Sequence, residues 1–200
     1  MKQRSEIGLI ILAAGASVRL GTPKQLLNFR GETLLRRIAR ESLESVCRPI
    51  VVVFGHEPDK FKNELKNLDV WIVENSGWKA GMGSSLKVGL KKLLDINKSL
   101  HGAVITVCDQ PFVTALTINE LVETHQKSEA FIVASEYRQT LGVPALFDRK
   151  IFIYLQNIEN SGGAKQIINQ FPAKTISFSF PDGAIDVDTP DDYARLSSQF

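Results

Sequence analysis

Short apolar runs alternate with longer amphipathic stretches along most of the chain. The runs IGLIIL (7–12), IVVVF (50–54), VWIV (70–73), AVITV (103–107), FIVAS (131–135) and TISFSF (175–180) predict strands. The first, second and fourth have almost no polar interruption, the pattern of strands covered on both faces. Between them, ETLLRRIARESLESV (32–46) sets Leu34, Leu35, Ile38 and Leu43 on one helical side. SSLKVGLKKLLDI (84–96) does the same with Leu86, Leu90, Leu93 and Leu94, and Ser84 and Ser85 stand where an N-cap is expected. TALTINELVETHQ (114–126) begins at threonine caps and turns Leu121 and Val122 inward.

After residue 140 the rhythm breaks into turn-rich segments, GVPALF (142–147), SGG (161–163) and FPDG (180–183). They predict a small inserted hairpin and two short helices in the C-terminal half. A last helix is expected over Pro190–Ser197, with Thr189 as cap, Pro190 in the first turn, and Asp191 and Asp192 beside the positive end of the dipole. The whole reads as a Rossmann-like, doubly wound α/β fold: a mostly parallel sheet with helices on both faces. No repeat, low-complexity tract or linker divides the 200 residues, so 1–200 is expected to be one domain.

Composition narrows the function classes. A chain 44% hydrophobic and 23% charged is that of a soluble globular protein. A net charge of +2, with its cations spread out, gives no reason to expect a nucleic-acid or membrane partner. The N-terminal apolar run is too short for a signal peptide and breaks into Gly15 and Arg19. Cys47 and Cys108 form no CxxC and are expected to pack as small apolar residues in a reducing, cytoplasmic compartment. His56, His101 and His125 show no ligand spacing and read as surface or loop residues, while Trp71 reads as core. Trp78 is open between packing and lining a site.

The candidate chemistry begins in ILAAGASVRLGTPKQLL (11–27). A strand stops at two alanines and Gly15, and the loop that follows carries Arg19 and Lys24. A phosphate chain would need a close backbone turn and two cations in this order; a basic surface loop would show the same residues. Neither GxGxxG nor GxxxxGK[ST] fits, here or in GMGSSL (81–86).

LAAGASVRLGTPKQLL resembles the signature of the nucleotidyltransferases related to the molybdenum cofactor cytidylyl- and guanylyltransferases, roughly LAAG-x-S-x-R-x-G-x-x-K. Val18 stands where a further basic residue is common in that family. Three later segments follow the family's order: GWKAGMGSSL (77–86), VCDQP (107–111) and DVDTPDDY (186–193). The resemblance implies that Leu12, Ala13, Ala14, Gly15 and Ser17 wrap a nucleoside triphosphate, with Arg19 and Lys24 as the catalytic cations on its phosphates. It implies Gly81, Gly83, Ser84 and Ser85 near base and ribose, and Asp109 and Asp188 as ligands of Mg²⁺. Asp186, two residues earlier, is the alternative to Asp188, because an extended stretch would turn both to one face. With strands in the order 3-2-1-4, the loops after the first and fourth predicted strands would meet at one crevice.

The implied reaction is attack by a phosphate monoester on the α-phosphorus of a nucleoside triphosphate, with pyrophosphate leaving. GMGSS, and LAAG where guanylyltransferases usually read LAGG, point to CTP; the implied acceptor is the molybdopterin cofactor. Open alternatives are another base, a sugar or polyol phosphate acceptor, or a non-catalytic nucleotide-binding maturation factor with a molybdoenzyme partner. A dinucleotide-dependent oxidoreductase loses ground because no GxGxxG follows the first strand. Gly142 and Pro144 are open between acceptor contacts and hairpin punctuation.

Overall fold

A computed structural model describes residues 6–198. Strands β1 (Ile7–Ala13), β4 (Ile50–Phe54), β5 (Trp71–Glu74), β6 (Gly102–Val107), β7 (Ile132–Tyr137), β8 (Thr140–Asp148) and β9 (Thr175–Ser179) form a seven-stranded sheet in the order β5-β4-β1-β6-β8-β7-β9. β2 (Asn28–Phe29) and β3 (Glu32–Thr33) form a small separate hairpin. All neighbours run parallel except those of β8, which pairs antiparallel with both β6 and β7. The expected inserted hairpin is therefore β7–β8, wedged against β6. The first half of the sheet follows the expected 3-2-1-4 order, so the direction of winding changes beside β1, where β6 joins it in parallel register, Leu12 opposite Val107.

Alternation along the central strands sorts the core onto two faces. Leu9, Ile11, Val52 and Phe54 pack with Leu35 and Ile38 of α1 (Leu34–Glu44) and with Ile118, Leu121 and Val122 of α3 (Ala115–Gln126). Ile10, Leu12, Val51 and Val53 pack with Leu86, Leu90 and Leu93 of α2 (Met82–Ile96) and with the short helices α4 (Phe152–Gln156) and α5 (Ala164–Gln170). Each fully buried side chain of this kind contributes about 1.5–3 kcal/mol of transfer free energy, which offsets the chain entropy lost on folding. Helix α6 (Pro190–Ser197) carries the expected cap, a reciprocal box in which Thr189 and Asp192 satisfy each other's backbone N–H groups. Its Leu196 packs with Phe29 of the β2–β3 hairpin and with Leu34, the residue that follows β3. Among the described residues no helix is long and apolar enough to cross a membrane.

Three expectations need correction. Trp71 is not core: β5 is an edge strand, and the indole is 48% exposed with the Lys92 ammonium over it. Helix α2 begins at Met82 behind a Gly81 cap at φ 121°, so Ser84 and Ser85 lie inside its first turn and cap nothing. His125 is not a surface residue: its ring lies half-buried at the end of α3, with Nε2 3.1 Å from the Asp148 carboxylate. Cys47 and Cys108 are buried free thiols, as expected. Burial pushes both thiols up to about 12.

Candidate functional site

The site lies at the carboxyl edge of β1 and β6, where doubly wound sheets take ligands. Its floor depends on close backbone approach. Ala14 C=O accepts from His56 N–H at the end of β4, 3.3 Å away. A Cβ on Gly55 would stand 2.7 Å from that carbonyl and 2.5 Å from Trp78 Cβ, so only glycine fits. The loop after β1 then turns through Ser17, at a left-handed φ of 54°. Ser17 C=O accepts from the Leu20 and Gly21 N–H groups, and its Oγ accepts from Lys24 N–H at 3.0 Å. Fully buried Gln25 fastens the returning chain by donating Nε2–H to Ala13 C=O (2.9 Å) and Gly15 C=O (3.0 Å).

This loop sends Lys24 into the crevice. Its Nζ donates to Asp109 at the end of β6 and to Asp188 Oδ1 at 3.0 Å. Arg19 reaches Asp188 Oδ2 from the solvent side at 2.6 Å, with its own side chain 72% exposed. Asp188 is delivered by two backbone ties. Val187 N–H donates to Asp109 C=O at 3.0 Å, and the Asp192 side chain accepts from the N–H groups of Asp188 and Thr189 as part of the α6 cap. Thus Arg19, Lys24, Asp109 and Asp188, separated by up to 169 positions, converge on one cluster. Asp186 is exposed, and among the described residues no ion pair links it to Arg19 or Lys24.

The charges stabilise one another. Burial disfavours the Lys24 ammonium, but Asp109 and Asp188 outweigh it and hold its pKa well above the ordinary lysine value. Burial likewise opposes ionisation of Asp188, yet Lys24 and Arg19 keep it below the usual carboxylate range. Asp109 Oδ1 is buried without a hydrogen-bond partner. Among the described residues no three acidic, His or Cys side chains form a metal-binding group. The donor set is therefore two hard carboxylates, already converging on a single cation and with one oxygen unsatisfied. That fits Mg²⁺ or Mn²⁺, which complete their shells with water and substrate oxygens.

Two clefts meet at this cluster. The larger, about 240 Å³, is walled by Leu12–Gly15 on one side, by Trp78, Gly81, Met82 and Ser85 on another, and by Val107–Asp109 below. The smaller, about 150 Å³, runs beneath Ser17–Leu20 to Asp188; Gly15 and Lys24 border both. Trp78 thus lines the site, its ring 5.3 Å from that of His56.

The structure brings most of the expected site residues together, but Gly83 and Ser84 do not line the larger cleft. Gly83 N–H donates to Asn160 C=O at 3.0 Å, and the Ser84 hydroxyl donates to Gly81 C=O at 2.7 Å. Gly142 and Pro144 lie buried in β8: a Cβ on Gly142 would meet the Tyr137 hydroxyl at 2.2 Å, and Pro144 C=O accepts from Ser135 Oγ. Sequence reasoning missed Gln25, and also Gln110, whose Nε2–H groups join Val143 C=O and Gly183 C=O at 3.0 Å each. Both stood inside quoted motifs without distinguishing spacing.

The Gly83 packing makes a prediction. An added Cβ would stand 2.1 Å from Glu159 C=O, a backbone atom that cannot swing away. Gly83→Ala should cost about 1–3 kcal/mol, as overpacking does, and melt about 2–4 °C earlier for each kcal/mol. Gly15→Ala meets nothing within 4 Å and should melt as the wild type does. Thermal denaturation of both checks this.

Similarity to known proteins agrees with the geometry. Residues 9–175 match the MobA-like NTP transferase domain. The nicotine blue oxidoreductase of Paenarthrobacter nicotinovorans is 30% identical over 196 residues, covering 94% of each chain. Among solved structures, the Rv0371c homologue of Mycobacterium sp. strain JC1 superposes with a TM-score of 0.82 at 30% identity, covering 98% of each chain. Rv0371c of Mycobacterium tuberculosis, solved as a complex with manganese, superposes with a TM-score of 0.73 at 26% identity, covering 97% of this chain and 99% of that one. The match to the domain spans most of the chain and takes in the loop after β1 and the Asp109 turn, so the chain belongs to the MobA-like NTP transferase domain family.

Proposed function

We propose that the protein is a divalent-metal-dependent cytidylyltransferase that moves CMP from CTP to a phosphate-bearing acceptor, with the molybdopterin cofactor as that acceptor. The observation that carries the reading is the convergence of Lys24 and Arg19 with Asp109 and Asp188 beside the 240 Å³ cleft. The cleft takes the nucleoside, and the Ser17–Lys24 loop takes the triphosphate. Lys24 neutralises charge on the phosphates, and Arg19 reaches them from the open side. An acceptor phosphate oxygen attacks the α-phosphorus in line, the bond to the bridging oxygen breaks, and pyrophosphate leaves with the electron pair. Both reactants are anions, so positioning and charge neutralisation supply most of the acceleration. Asp109 and Asp188 would hold Mg²⁺ or Mn²⁺, which polarises phosphoryl oxygens and neutralises developing charge when bound.

One observation favours a second reading. A relative of nearly the same length and 30% identity is named an oxidoreductase. A paired cation–carboxylate cluster serves phosphates better than hydride transfer, so that reading stands second. The test is calorimetric titration with the four nucleoside triphosphates and Mg²⁺, together with assays of pyrophosphate release and of reduced nicotinamide oxidation. CTP should bind tightest and release pyrophosphate only with an acceptor present. Tighter GTP binding would remove the cytidylyl assignment; nicotinamide turnover without pyrophosphate release would remove the transferase.

A further inference from the structure

The larger cleft has a hydrogen-bond polarity, and it is set by a residue outside the cleft wall. Asn75 follows β5 and is 4% exposed. Its Oδ1 accepts from Gly77 N–H at 3.0 Å, and its Nδ2 reaches Ser84 Oγ at 2.8 Å and Ser85 Oγ at 2.9 Å. A backbone N–H can only donate, so the Gly77 bond fixes which end of the amide is oxygen. The NH₂ group is therefore turned to the hydroxyls, and both serines must accept from it. Ser84 sends its own proton to Gly81 C=O, which can only accept. Ser85 is 3% exposed, lines the cleft, and has no acceptor for its proton among the described residues. The relay from Gly77 through Asn75 thus ends in one unused donor at the cleft wall. A buried donor left unpaired is costly unless a ligand satisfies it.

We propose that Asn75 is the positioning residue that holds Ser85 as a hydrogen-bond donor toward an acceptor atom of the bound nucleoside. This rests on the nucleotide-binding reading above and names the chemistry it selects. Cytosine presents a carbonyl oxygen and an unprotonated ring nitrogen side by side, both acceptors. The corresponding edge of guanine presents an N–H and an NH₂, both donors, which a fixed donor rejects.

The test reverses the polarity without changing the shape. In Asn75→Asp the carboxylate still accepts from Gly77, but it now also accepts from Ser85, whose proton turns away from the cleft. CTP affinity, measured by calorimetry with Mg²⁺, should fall about two- to tenfold, the worth of one neutral hydrogen bond. Inorganic tripolyphosphate, which carries no nucleoside, should bind as to the wild type. In turnover, KM for CTP should rise while kcat at saturation changes little. Ser85→Ala, which keeps Asn75 and its other bonds, should show the same selective loss, and the double variant should lose no more than the worse single. Equal losses for CTP and tripolyphosphate in Asn75→Asp, or full CTP affinity in Ser85→Ala, would overturn the inference. A wild-type protein that binds tripolyphosphate but no nucleoside triphosphate more tightly would overturn the nucleotide reading itself.

Discussion

Lys24→Met should lower kcat for nucleotidyl transfer by about 10²–10³-fold, the range seen when one preorganised donor to a developing anion is removed. Two features make the effect large. The Lys24 side chain is only 16% exposed, so water replaces its charge poorly, and its ammonium is already fixed between two carboxylates before substrate arrives. The loss should not be confined to catalysis. Asp109 and Asp188 would face each other without their shared cation, and the fold should weaken. The cost should stay below the 3–5 kcal/mol typical of breaking a fully buried pair, because Asp188 keeps 28% of its side chain in solvent and Arg19 still binds it. Thermal melting and single-turnover kinetics read the two effects apart. Lys24→Arg should restore little of the rate, since a forked guanidinium does not fit a recess built around a point charge. A variant that folds and turns over normally at saturating nucleotide would place Lys24 outside the reaction.

Much of the frame was legible because local rules and tertiary packing agreed. IVVVF (50–54) reads as a strand covered on both faces and is one, since every residue of β4 is buried. Thr114 and Thr189 read as caps and are, because cap chemistry involves only neighbours three residues away. Trp71 failed for the opposite reason. Its strand pattern is correct, but nothing within four residues says that the strand stands at an edge. The start of α2 failed because it depends on the distant loop at 159–162, whose carbonyls press on Gly81 and Gly83.

The candidate site divides in the same way. Arg19, Lys24, Asp109 and Asp188 were legible by type and order, and the strand order alone placed the loops after β1 and β6 together. Gln25, Asn75 and Gln110 were not. Each is a neutral amide, 6% exposed or less, that ties backbone or hydroxyl groups of separate turns, within twelve positions for Gln25 and Asn75 and across seventy-three for Gln110. An amide in that role has no periodicity and no charge partner, and it is distinguished only once its bonds are seen. These residues hold the chain around the cluster in which the four charged side chains meet. The charged cluster was therefore more visible in the sequence than the scaffold that aims it.

The second large effect belongs to the two carboxylates. Asp109→Asn and Asp188→Asn should each abolish most transfer, about 10³-fold, and the double variant should lose little more than the worse single. Independent residues would instead add within about 0.5 kcal/mol. Asn preserves size and one oxygen, so the backbone tie from Val187 N–H to Asp109 C=O should survive. Coupling alone does not identify a shared metal, because both carboxylates also accept from Lys24. The two causes separate by their dependence on metal. Coupling carried by lysine should be the same at every Mg²⁺ concentration and vanish in a Lys24→Met background. Coupling carried by a divalent ion should persist in that background and grow as Mg²⁺ rises through its dissociation constant. Measuring the cycle at several Mg²⁺ concentrations, with Mn²⁺ binding by electron paramagnetic resonance as a readout independent of turnover, should show the second pattern. Losses that multiply in full at all concentrations would mean that Asp109 and Asp188 act at separate places, and the shared-ion site would be wrong even if the cleft still bound nucleotide.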